Sequence, residues 1–243
     1  MVRTIFFCFF IMSICNCEAQ NSRKERIISF SGYSWTVRNT SNKQGPGPNY
    51  FADSCVLVDG LGRLHLWIIR DGTTDHWLCP EIISLVKFGF GTYKFVIEGA
   101  IDQFDKNIVL GLFNYSGNDG FDEMDIEIAR WGNAAYPNLN YTIWPAKNDS
   151  AKNSATTREF TLKSTLSTYY FKRNADTVIC SSFDSISTDQ KNLIFSSTFT
   201  RPSSSISRLD MPVHINFWLF DGKPPEDQKP VEVIIRSFQF SPR

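Results

Sequence analysis

Residues 121–132 read FDEMDIEIARWG, with acids at alternate positions, Glu123, Asp125 and Glu127, and apolar Met124, Ile126 and Ile128 between and after them. Only an extended backbone sends these two sets to opposite faces, because a helix would scatter the acids around its circumference. The segment is therefore read as a strand with one acidic face and one buried face, and a buried strand face requires a sheet and a second layer against it. The same period recurs along the chain in short segments at 34–37, 55–58, 63–69, 82–86, 92–98, 108–113, 123–129, 139–144, 159–162, 169–172, 177–183, 192–198, 213–220 and 231–240. Asp59-Gly60-Leu61-Gly62 reads as a hairpin turn between two of them. No helical period outlasts a single turn near 184–191, and no repeat or internal linker is visible. Many short strands separated by turns imply an all-β sandwich or barrel.

Three like charges crowded on one strand face repel one another. A solvated acidic face, a calcium-binding edge and a set of working carboxylates all fit the alternation. In the last case Glu123 and Glu127 start about 13 Å apart along the backbone. Leaning together, two such side chains reach about 5–5.5 Å, the carboxyl separation at which a glycosidic bond is cleaved with retention.

Glu-x-Asp-x-Glu on an apolar strand resembles the catalytic signature of glycoside hydrolase family 16, in the short form found in lichenases and xyloglucan-active members. Four further segments resemble lichenase segments in the same order: PNYFADSC (48–55), HWLCPEIIS (76–84), FGFGTYKFVIEG (88–99) and HINFWLFDG (214–222). The resemblance covers most of the chain. It implies a jelly-roll β-sandwich of the concanavalin A-like lectin/glucanase type, occupying about 20–243, with a cleft across its concave sheet. It also implies endo-acting, retaining hydrolysis of a β-glucan, β-1,3-1,4 or β-1,3, with Glu123 as nucleophile and Glu127 as general acid/base. Asp125 would hydrogen-bond the nucleophile. Asn49, Glu81, Phe121, Trp144, Asn216 and Trp218 fall at positions implied to contact sugar, and alternation puts Asn216 and Trp218 on one face. Trp131, after the acid strand, is read as a core residue. Cys55 and Cys79 match a lichenase disulfide, which would stabilise the fold by about 3 kcal/mol in the chain-entropy model.

The chain also departs from the family. Ile82-Ile83 stands where lichenases have a polar pair containing an arginine, Phe171-Lys172-Arg173 lacks a common tryptophan, and Cys180 replaces a larger residue. The acids are kept while the sugar contacts have changed. Two rival readings therefore stand beside the hydrolase: a xyloglucan or glucan transglycosylase using the same carboxylates, and a non-catalytic, lectin-like carbohydrate-binding sandwich. No cofactor is required. A structural calcium on the convex face occurs in relatives, but no ligands are assigned to it here, and His65, His76 and His214 form no recognisable ligand motif.

Residues 1–19 read as a secretory signal, with Arg3 before an apolar run from Ile5 to Cys15 and a cleavage point after Ala19. A secreted, extracellular, monomeric protein is expected, free of the membrane once the signal is removed. With 25 basic and 25 acidic residues and no basic patch, nucleic acid is not expected as a partner. Cys8, Cys15 and Cys17 would leave with the signal, and Cys180 is read as a buried small hydrophobe. Asn39, Asn114, Asn140 and Asn148 each begin a glycosylation acceptor triplet, although Asn140 lies close to the expected cleft.

Overall fold

The computed structural model describes residues 25–200 and 205–243. The expected signal, with Cys8, Cys15 and Cys17, lies outside the described residues. In chain order the strands are β1 (Arg26–Phe30), β2 (Tyr33–Val37), β3 (Tyr50–Phe51), β4 (Val56–Val58), β5 (Leu64–Arg70), β6 (Trp77–Cys79), β7 (Glu81–Phe88), β8 (Gly91–Glu98), β9 (Ile108–Tyr115), β10 (Glu123–Ala129), β11 (Leu139–Trp144), β12 (Ser154–Arg158), β13 (Leu166–Arg173), β14 (Thr177–Phe183), β15 (Leu193–Thr200), β16 (Met211–Leu219) and β17 (Val231–Pro242). They form two sheets. The cleft sheet runs β1-β2-β7-β16-β9-β10-β11-β12, and the back sheet runs β15-β14-β13-β8-β17-β5-β6-β3, with β4 paired to β5. This is the expected jelly-roll sandwich.

Alternation explains how the layers meet. Trp35 and Phe88 point inward from the cleft sheet, and Phe95 and Phe238 from the back sheet. The Phe238 ring lies 5.5 Å from Trp35, 5.6 Å from Phe88 and 5.1 Å from Phe95. Met124, Ile126 and Ile128 are buried in the same core. At about 1.5–3 kcal/mol each, their burial offsets roughly 5–9 kcal/mol of the cost of holding three acids on the opposite face of β10.

A buried arginine ties the layers together directly behind that strand. Arg173 on β13 donates to Asn114 Oδ1 on β9 at 2.9 Å and to the carbonyls of Ser207 and Leu209 at 2.7 and 2.6 Å. Asn114 is paired in register with Met124. Its own amide donates to the carbonyls of Met211 and Pro212. Asn114 is fully buried, so its triplet is not an accessible glycosylation acceptor. Asn39 and Asn148 are exposed.

The structure corrects three expectations. The strand read at 159–162 is instead β12 at Ser154–Arg158. Ser-Ala-Thr-Thr-Arg carries little apolar pattern because β12 is an edge strand, paired only to β11. β1, β3 and β6 were not expected: β3 and β6, with two and three residues, are too short to show a period, and β1 is a five-residue edge strand paired only to β2. Finally, Cys55 and Cys79 are free thiols rather than a disulfide. The Cys79 thiol faces Asn49 Oδ1 at 3.6 Å instead. Burial pushes the Cys55 thiol up to about 12 and raises Cys79 as well, so neither forms a thiolate readily. Cys180 is free and buried, as read.

Candidate active site

The register of the cleft sheet builds the site in rows. Glu127 on β10 lies opposite Gly111 on β9, which lies opposite Asn216 on β16, which lies opposite Glu81 on β7. One row along, Asp125 faces Phe113, and Phe113 faces His214. In a third row Glu123 stands between Tyr115 and Trp144. Adjacent strands are about 4.8 Å apart, so residues remote in sequence converge on the three acids.

The acids divide a continuous groove. On the β9 side they border a cleft of about 650 Å³, also lined by Glu81, Phe113, Tyr115, His214, Asn216 and Trp218. On the β11 side they border a hollow of about 390 Å³ lined by Trp131, Asn140, Thr142, Trp144, Ala155 and Thr157. The first continues through Arg38, Gln44 and Ile83 into a hollow beside β2, and the second continues past Trp144 and Asn153. The groove thus crosses the sheet from β2 to β12.

Electrostatics within the acid row are set by burial and mutual repulsion. Burial, reinforced by the Asp119 charge, pushes Glu123 up to about 7 against the lowering hydrogen bond from Asp125. Burial and the Glu123 charge push Glu127 up to about 8. Burial and the charges of both glutamates hold Asp125 well above the usual carboxylate range. Three acids in this setting do not all ionise near neutrality. Asp125 is fixed from both sides, by its hydrogen bond with Glu123 and by the Trp144 indole N–H, 3.0 Å from Oδ2.

The residues expected to contact sugar fall into different places. Asn216 and Trp218 line the cleft. Asn216 is buried, and its Oδ1 has no hydrogen-bond partner among the described residues. Its side chain lies directly over Gly111, where an added Cβ would fall within 2.3 Å of that oxygen. Trp218 is largely buried and packs beside Trp131, 6.3 Å away. Trp131 packs against the core, as read, and also lines the β11 side of the groove, and its backbone is left-handed at φ 52°. That conformation is costly for a bulky side chain and recurs at functional sites. Phe121 lies beyond Trp144, at the far end of the groove rather than in the main cleft. Asn49 belongs to the scaffold. Its amide donates to the carbonyls of Pro46 and Leu219, both at 2.8 Å, which pins the 44–49 turn against β16.

Glu81 reaches the cleft with both oxygens engaged. Oε2 lies 2.5 Å from Arg38 Nη1, and Oε1 lies 2.8 Å from His214 Nδ1. Arg38 and His214 were both missed by sequence reading. His214 shares the parity of Asn216 and Trp218, so the alternation that placed those two on the cleft face also places His214 there. Asp122, just before β10, is buried with a left-handed backbone. Among the described residues no group of three or more His, Cys, Asp or Glu side chains is arranged to hold a metal.

Comparison with known proteins yields the fold. No protein-family model and no curated protein sequence matches the chain. Solved structures do match. The β-glucanase of Bacillus licheniformis superposes with a TM-score of 0.64 at 16% identity, covering 86% of this chain and 92% of that one. A β-1,3-1,4-glucanase (lichenase) derived from a mouse hindgut metagenome gives 0.61 at 16% identity, covering 86% and 93%. An immunostimulatory antigen and pseudo-β-1,3-glucanase of Mycobacterium tuberculosis gives 0.62 at 17%, covering 86% and 91%. The chain therefore has the β-glucanase fold, and that fold is shared by a glucanase and a pseudo-glucanase alike.

Proposed function

We propose that the chain is a secreted, retaining endo-β-glucanase acting on a β-1,3-1,4- or β-1,3-glucan. Because the fold is shared with a pseudo-glucanase, the reading rests on the acid row: Glu123, Asp125 and Glu127 on one strand face, at the middle of a groove that is open at both ends. An open groove admits the interior of a polymer, which suits endo cleavage.

In this reading a Glu123 carboxylate oxygen attacks the anomeric carbon while the bond to the leaving oxygen breaks, and Glu127 gives that oxygen its proton. The result is a glycosyl ester on Glu123. Glu127, now ionised, takes a proton from water, whose oxygen displaces Glu123 and restores the original configuration. The raised Glu127 holds the proton the first step needs. The hydrogen bond from Asp125 lowers Glu123 and favours its ionised form, which suits the nucleophile. These are the roles of general acid/base and nucleophile.

A second reading, transglycosylation, is supported by the β11 side of the groove, where Thr142, Ala155 and Thr157 leave room for an acceptor sugar. The deciding experiment is a reducing-sugar assay on lichenan, laminarin and xyloglucan, with the first-formed anomer followed by proton NMR. The β-anomer is expected first. An α-anomer overturns the retaining mechanism, and absence of cleavage by folded protein favours a lectin-like role. New long products with excess oligosaccharide acceptor identify a transferase.

A further inference from the structure

At the β7 end of the cleft, away from the acid row, a buried carboxylate is held between two nitrogen bases. Glu81 is almost fully buried, and each of its oxygens already has a partner. The guanidinium of Arg38 lies 4.0 Å over the Phe51 ring and reaches Gln44 Oε1 at 3.0 Å, which fixes its plane. The imidazole of His214 lies nearly flat on Phe113, with centroids 4.9 Å apart and planes at 25°. Burial alone would raise Glu81, but the hydrogen bond from His214 and the charges of His214 and Arg38 bring it below its ordinary value. An ionised Glu81 accepts from Nδ1–H, which leaves Nε2 available to a ligand. Among the described residues Nε2 has no hydrogen-bond partner, and His214 lines the cleft.

We propose that Arg38, Glu81 and His214 form a subsite for a neutral sugar, in which Glu81 is a positioning residue and its two partners read the ligand. His214 Nε2 hydrogen-bonds a sugar hydroxyl, and Arg38 donates to a sugar oxygen. This rests on reading the groove as a glycan site. It moves recognition from Glu81, the residue resembling a family contact, to two residues that the family pattern does not mark. Neutral sugar is the ligand class because the Glu81 carboxylate already balances the Arg38 guanidinium. Asp119 and the acid row line the same cleft and disfavour an anionic chain.

The test uses Glu127→Gln protein, which holds ligand without turnover, titrated calorimetrically with cellotetraose, laminaritetraose and a mixed-linkage tetrasaccharide. At least one is expected to bind, with Kd rising about fivefold or more in His214→Leu and in Arg38→Gln, since a lost hydrogen bond is worth at least about 1 kcal/mol. His214→Gln, which restores a hydrogen-bonding group, should recover part of that loss. In the parent protein the His214 Nε2 nitrogen resonance should shift on sugar addition, a readout that needs no variant to fold. An unmoved resonance, or unchanged affinity in the folded variants, overturns the subsite while leaving hydrolysis by the wild type to stand. Binding that depends on His214 in a protein that cleaves no glucan keeps the subsite and removes the hydrolase. Preferential binding of a uronic-acid oligosaccharide overturns the neutral class, and no binding of any tetrasaccharide overturns both readings.

Discussion

The two sides of the groove are built differently. Between β10 and β7 the walls are large and mutually fixed: His214 on Phe113, Arg38 on Phe51, the Tyr115 hydroxyl on Asp119, Trp218 beside Trp131. Between β10 and β12 the floor is Thr142, Ala155 and Thr157, short side chains on strands that run out to the sheet edge. The first side can grip a sugar because its groups are held by one another before any ligand arrives. The second can let a sugar leave or enter. Trp131 and Trp144 are the exceptions on the open side: Trp131 packs beside Trp218, and the Trp144 N–H reaches back to Asp125.

The largest effects should come from the strand that divides the two sides. Glu127→Ala is expected to lower turnover of natural glucan by about 10²–10⁴-fold, the contribution of a positioned acid/base. An aryl glycoside with a good leaving group should be largely spared, because it needs little protonation. With azide added, this variant should yield the β-glycosyl azide, since azide completes a second inversion. Glu123→Ala should be at least as damaging on both substrates, and azide should give the α-glycosyl azide after one inversion. Chromatography and NMR of the azide products check this, and exchanged configurations would reverse the two roles.

Next in size is the contact that crosses from the open side. Trp144→Phe keeps the ring and removes one hydrogen bond to a buried acid. Leaving a buried acceptor without its partner costs about 1–3 kcal/mol, so kcat should fall about fivefold to a hundredfold. The indole N–H lowers the Asp125 value. Its loss raises Asp125 further and alters the sharing of the proton with Glu123, so the pH–rate profile should change shape. A profile that keeps its shape while KM rises would make Trp144 a sugar platform rather than a partner of Asp125.

How much of this was legible depends on how local each signal is. The acid strand could be read directly, because seven consecutive residues carry both its faces. Asn216 and Trp218 followed from the same rule on β16, and His214 should have followed too. It was set aside because the histidines were tested as metal ligands rather than by parity. Arg38 was out of reach: it meets Glu81 through the pairing of β2 with β7, which brings together residues 43 positions apart. Cys55 and Cys79 show the opposite failure. Their pairing rested on resemblance alone, and the structure keeps both thiols buried and free. All three described cysteines should resist alkylation in the native protein and react after unfolding, as mass spectrometry would show.

A smaller effect tests whether the gripping side depends on close fit. Gly111 has no side chain, so Asn216 lies across it toward Glu127. Gly111→Ala must displace that amide, while the neighbouring core remains intact. KM should rise several-fold with little loss of melting temperature. An unchanged KM would mean that the Asn216 amide does not meet the sugar.

The smallest effect is on stability, and it asks whether the dividing strand carries its proton in the free protein. Burial and the Glu123 charge raise Glu127 from 4.5 to about 8. Between those values the folded protein holds a proton that the unfolded chain has released. The associated stability is therefore fully present below 4.5 and declines as pH rises through about 8. Glu127→Gln cannot ionise and lacks this decline. Its urea midpoint relative to wild type should be more favourable at pH 9 than at pH 5, even though it is inactive. Glu123 and Asp125 remain in both proteins, and removing one neighbouring charge eases their ionisation, which acts in the same direction. A midpoint difference that stays constant from pH 5 to pH 9 would mean that Glu127 is already ionised near neutrality. It would then lack the proton that the leaving oxygen requires, and the case for Glu127 as the acid would fail without any substrate having been tried.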